Sequence, residues 1–138
     1  MTAREIRDYV QIARQEPTTE HLEALWRAVF LLKGWYFLPA HADTETFPMV
    51  SLIDDEPWLL GFTNVRRLQE FARAHRRVNP DGSIPLLVLD PLDSINHLQE
   101  VQDHVTGVLF NIGSDETFRA PTGALLDYAR HFGLPLDG

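Results

Sequence analysis

The chain has 138 residues, 44% of them hydrophobic, no cysteine and a formal net charge of −8. Its size and apolar content suit one domain with its own core, and the lack of cysteine excludes disulfides, thiolate metal sites and cysteine nucleophiles. The acidic balance argues against a general nucleic-acid binder, which needs a positive surface; the charged, periodic start MTAREIRDYV, with no later run of bilayer length, points to a cytoplasmic protein without membrane contact.

Thr2 and Glu5 have capping-box spacing, and Ile6, Tyr9, Val10 and Ala13 recur at helical intervals, which predicts a helix over 3–15. A second helix starts at Thr19, carries Leu22, Leu25, Trp26 and Val29 on one stripe and stops before Gly34. Trp35 to Pro39 reads as a strand and AHADTETF as a polar loop, and Met49 to Phe62 reads as a hairpin around DDEP. Asn64 to Arg77 is expected to be helical, NPDGS a turn, and Pro85 to Asp90 a buried strand. Asp90 caps a helix beginning at Pro91. TGVLFNI is then a fifth strand, GSDET a turn, and Ala120 to Phe132 a last helix ended by Gly133. This order predicts a single α/β (α+β) domain: a mixed five-stranded sheet in which a hairpin feeds right-handed parallel crossovers, with two N-terminal helices and a C-terminal one.

The stretch WLLGFTN raises the question of a phosphate loop, but it has neither the second glycine and lysine of a P-loop nor the three glycines of a dinucleotide fingerprint. Thr63 or Asn64 more simply caps the following helix. On that helix Arg66, Arg73 and Arg77 fall on one face, opposite Val65, Leu68 and Ala72. Two readings stand: a solvated face in which Glu70 pairs with Arg66, or a docking surface for an acidic partner. Asp93, His97, Glu100 and His104 form a stripe that looks like a metal-ligand set, yet the two histidines sit about 10.5 Å apart along a helix, too far to share one ion. DDEP lacks calcium-loop spacing, no serine sits in a nucleophile elbow, and Trp26, Trp35 and Trp58 are expected in the core.

In order, LKGWYFLP, FPMVSLIDDEPWLLGFTNVRRLQEF, PLLVLD and GVLFNIGSDETF resemble the SseB N-terminal-domain family, the module of enhanced-serine-sensitivity proteins. The likeness runs from about residue 22 to 138 and leaves 1–18 as a helical extension; it departs from the family pattern at Ile112, where proline is expected after Asn111. It implies a small bacterial α/β domain without established chemistry. Rhodanese-type persulfide transfer is ruled out by the lack of cysteine.

The expectation is therefore a non-catalytic interaction or regulatory domain that binds a protein partner through Arg66, Arg73 and Arg77, with no catalytic residue, metal or cofactor and with a homodimer left open. The alternative is a small-ligand domain, for an amino acid or anion, with Phe62, Thr63, Asn64, Asn111 and Ser114 on the rim where strands end in open α/β sheets.

Overall fold

A computed structural model describes residues 5–42 and 45–136 as a single α/β domain. Helix α1 (Ile6–Gln15) begins where the Asp8 carboxylate accepts from the Glu5 N–H at 2.9 Å; Thr2, the expected start of that cap, lies outside the described residues. Helix α2 (Thr19–Phe30) is capped by Thr18, whose Oγ1 accepts from the His21 N–H at 3.1 Å. Strand β1 (Trp35–Phe37) follows, and then β2 (Pro39–Ala42) and β3 (Glu45–Pro48) pair antiparallel as a separate two-stranded ribbon. The sequence reading expects a polar loop there. Thr46 and Phe47 are good strand formers, and the ribbon lacks the alternation of a half-buried strand, the signal on which that reading depends.

Strands β4 (Val50–Ile53) and β5 (Glu56–Phe62) form the expected hairpin. Asp54 and Asp55 both take left-handed backbone, φ 52° and 66°, as a two-residue type I′ turn requires. Helix α3 (Val65–Ala74), β6 (Leu87–Leu89), α4 (Pro91–Glu100), β7 (Gly107–Phe110), β8 (Phe118–Pro121) and α5 (Thr122–His131) complete the chain. Asp90 caps α4 as expected, its carboxylate accepting from the Asp93 N–H at 2.7 Å.

The main sheet has six strands rather than five, in the order β6-β1-β5-β7-β8 with β4 beside the first half of β5. The additional strand is β8, which the sequence reading merges into the last turn and helix; Phe118–Pro121 pairs antiparallel with β7, and α5 starts only at Thr122. Strand β6 is an edge strand, not a buried one, and exposes Val88, with Leu86 exposed just before it. Its apolar run has the composition of a central strand, but composition alone does not give a strand its neighbours. The parallel ladder joins β5 to β7, Gly61 opposite Phe110.

Alternation along β5 sorts the core into two layers. Leu59 faces a cluster built with Trp35, Phe37, Val108, Phe110 and the helices α1, α2, α4 and α5. Trp58, Leu60 and Phe62 face Leu68 and Ala72 of α3. Gly61 lies against the Phe110 ring, 2.9 Å from where a Cβ would stand. No helix among the described residues is long and apolar enough to cross a membrane.

Helix α3 ends three residues before the expected Arg77. His75 is its C-cap, Arg76 turns to φ 56°, and the Arg76 and Arg77 N–H groups close back on the carbonyls of Arg73 (3.3 Å) and Ala72 (2.7 Å). Glycine is the usual residue at such a left-handed position. Arg76→Gly is expected to raise the unfolding free energy by about 0.5–1 kcal/mol, the relief of left-handed strain less the greater freedom of glycine in the unfolded chain. Urea unfolding with an unchanged m-value checks this; a lower midpoint contradicts it.

Candidate functional site

The C-terminal ends of the parallel strands β5 and β7 meet at one rim, and the first residues beyond each ladder bond to one another. The Thr63 N–H donates to Asn111 Oδ1 at 3.1 Å, and Asn111 Nδ2 donates to Thr63 Oγ1 at 3.1 Å. Asn111 is fully buried and takes φ 57°, a conformation asparagine tolerates better than most residues. Its N–H donates to the Gly61 carbonyl at 2.9 Å. Its own carbonyl accepts from Ser114 Oγ at 2.8 Å and from Thr117 Oγ1 at 2.9 Å, which folds the loop between β7 and β8 back over the rim.

Two arginines hold that loop from outside. Arg67 reaches Glu116 at 2.5 Å, the side chains only 14% and 8% exposed, with Glu70 at 3.3 Å and Asp115 at 3.6 Å. The Glu116 hydrogen bond, against the opposing effect of burial, holds the Arg67 guanidinium above its ordinary pKa. Arg14 of α1 donates to the carbonyls of Asp115 and Thr117. The sequence reading singles out none of Arg14, Arg67 and Glu116. Arg67 and Glu116 are 49 positions apart, and the available signal was slight: an arginine beside Leu68, where the buried and exposed faces of α3 meet.

Of the five rim residues expected to hold a ligand, Thr63 and Asn111 are brought together and occupy each other's polar atoms. Asn64 is exposed and caps α3, accepting from the Arg67 N–H at 2.9 Å. Ser114 bonds within its loop, and Phe62 is fully buried beneath α3, away from solvent. The rim is bordered by an open groove of about 1140 Å³ between the N-terminal helices and the start of α3, walled by Ile6, Tyr9, Arg27, Leu31, Asn64 and Arg66.

The three arginines expected on one helix face separate. Arg66 lies 3.8 Å from Glu70. Arg73 is exposed on the same stripe, whereas Arg77 stands beyond the turn at Arg76 and so leaves the helical register. Among the described residues no ion pair engages Arg73, Arg76 or Arg77.

The acidic and histidine stripe also divides. Asp93, His97 and Glu100 border a pocket of about 290 Å³ beside Leu87, Leu89 and the β2–β3 ribbon, while His104 is exposed past the end of α4. No group of three His, Asp or Glu among the described residues is placed to hold a metal ion. Trp26, Trp35 and Trp58 are buried, and Trp35 Nε1 donates to the Val29 carbonyl at 2.9 Å.

Two expectations follow from this geometry. Asn111→Ala leaves the Thr63 N–H and hydroxyl unpaired in the interior and puts alanine in left-handed backbone, so unfolding free energy should fall by about 3–4 kcal/mol; a loss under about 1 kcal/mol in urea would show that water replaces the amide. His97 has its pKa lowered by burial, against the pull of Glu100. The folded state thus disfavours the proton, and the neutral imidazole contributes its full stability above the unfolded pKa of 6.5 and loses it as pH falls towards the lower folded value. The melting temperature of the wild type should therefore drop more between pH 7.5 and 5.5 than that of His97→Gln; parallel profiles would remove His97 from the acid response.

Comparison with known proteins gives no relative: no family model, no curated protein and no solved structure significantly matches the chain.

Proposed function

We propose that the protein is a non-catalytic interaction domain that docks an acidic segment of a protein partner on the cationic end of α3. The observation that carries this reading is local: in a chain of net charge −8, Arg73, Arg76 and Arg77 are exposed and without carboxylate partners among the described residues. Part of their placement has a plain structural reason, since cations near a helix C-terminus are stabilised by its dipole. That reason does not extend to Arg76, which sits in left-handed backbone where glycine would be easier. Strain kept by a long cationic side chain fits a role for the side chain itself. Arg66, paired with Glu70, flanks this surface.

The rim supports the same choice over a small-ligand site. Thr63, Asn111 and Ser114 are engaged in internal bonds that a ligand would have to break. We extend the resemblance to SseB N-terminal domains to this chain as part of the proposal; it implies a domain without established chemistry, in keeping with a non-catalytic role. An acidic partner would be steered to the patch by long-range attraction, so its association should weaken with salt.

Fluorescein-labelled poly-L-glutamate is a defined first probe. Against the wild type, an Arg73→Glu/Arg76→Glu/Arg77→Glu variant with an intact unfolding transition should bind at least about tenfold more weakly, as expected for reversing several charges at one contact. Affinity capture from lysate of the native organism should then retain a partner on the wild type that the variant loses. Equal binding by the two proteins, with equal salt dependence, sets the reading aside.

A further inference from the structure

We propose that β4 is a self-association edge, through which two copies of the chain pair antiparallel across a two-fold axis and extend the sheet. The backbone sets the first condition. In a hairpin closed by a two-residue turn the bonded pairs alternate, so Ile53 and Ser51 direct their N–H and C=O groups to β5, while Val50 and Leu52 direct theirs to the open side. Pro57, opposite Leu52, agrees with this phase: it has no N–H to give, and its carbonyl accepts from the Thr106 N–H at 2.7 Å, on the β7 side. Among the described residues no strand pairs with the outer side of β4.

The side chains set the second condition. Val50 and Leu52 point to one face of the sheet and are 44% and 73% exposed. Of the other edges, β8 presents Arg119 and Pro121, which discourage pairing, and β6 is only three residues long. The β4 segment Val50-Ser51-Leu52-Ile53 has neither a charge nor a proline.

Symmetry then selects one register. A two-fold axis through Ser51 sets Val50 against the partner's Leu52, and Leu52 against the partner's Val50, so that four backbone bonds form and four exposed apolar side chains gather on one face. A shift by two residues in either direction replaces one of these with Pro48, which lacks an N–H, or with Asp54 of the turn. The charges permit the arrangement. The two Asp54 residues would stand about 20 Å apart, six strand residues at about 3.4 Å each, beyond the Debye length of about 8 Å at physiological salt. A pair of short strands buries less than the roughly 1,200 Å² of a stable interface. The dimer is accordingly weak and concentration-dependent. Since both copies carry −8, salt strengthens it, the reverse of the effect expected for an acidic partner on α3.

Sedimentation velocity of the wild type, up to about 500 µM to match so small an interface, should show the mass rising from 15.8 kDa towards twice that value. Leu52→Lys should remain monomeric throughout. Register is tested with a single introduced thiol, the chain having no cysteine of its own. Opposed residues of a non-bonded pair lie about 4.5 Å apart at Cα, within disulfide reach, so with diamide the Ser51→Cys variant should cross-link at least about tenfold faster than Ser83→Cys, placed in an exposed loop. A monomer at the highest concentration, a Leu52→Lys protein that dimerises like the wild type, or equal cross-linking rates would each overturn the proposal.

Discussion

Past the last backbone bond of the parallel ladder, from the Asn111 N–H to the Gly61 carbonyl, the Asn111 side chain joins the two strand ends. Beyond Gly61 and Phe110 the parallel ladder stops, and one chain must turn into α3 while the other must turn into the loop leading to β8. A buried amide has one acceptor and one donor group, and Thr63 offers the matching N–H and hydroxyl oxygen. In an interior of low dielectric this pair fixes the two departure directions together, because separating them leaves four polar atoms without water or partner. The left-handed backbone of Asn111 then brings its carbonyl round to meet Ser114 and Thr117.

The charged contacts build outward from that clamp. Once the loop folds back, Glu116 is carried to the side of α3 and Arg67 becomes its counter-ion, both largely removed from solvent. Such a pair adds little net stability over well-packed apolar residues, yet breaking it leaves a stranded charge. It therefore acts as a lock on the position of α3 against the rim. Arg14 joins the same loop to α1 through backbone carbonyls. The start of α3 and the N-terminal helices are thus held on either side of the open groove, and the polar groups at its end are committed to architecture. At the other end of α3, by contrast, Arg73, Arg76 and Arg77 have no carboxylate partner among the described residues.

How far this was legible beforehand depends on the range of each interaction. The caps at Asn64 and Asp90, the hairpin turn at Asp54 and Asp55, and the burial of Trp35 and Trp58 arise from neighbours in sequence or from hydrophobicity, and the residues announce them. The rim itself was accessible as a place, since the ends of parallel strands collect there, and Thr63 and Asn111 were candidates to meet. What they do on meeting was not accessible: two small polar residues near a strand end read alike whether they bind a ligand or each other. Strand β8 was missed because four residues ending in proline carry little period, and Ala120 and Pro121 fit the start of a helix equally well. Arg77 was misplaced because the turn at Arg76 uses arginine where the usual stop signal is glycine.

Sequences that fold well agree with themselves at every level, and local disagreements gather where something other than folding is selected. Two positions in this chain disagree in that sense. Arg76 occupies backbone that glycine would take without strain, and β4 leaves an uncharged, apolar edge unguarded while β8 carries Arg119 and Pro121 and β6 is a residue shorter. Neither feature improves the core, since the clamp at Asn111 and the two hydrophobic layers are complete without them. They also differ in chemistry. One presents guanidinium groups suited to carboxylates, and the other presents backbone bonds and methyl groups suited to an identical strand. Salt should weaken the first contact and strengthen the second, so the two surfaces can be separated in solution without altering a residue.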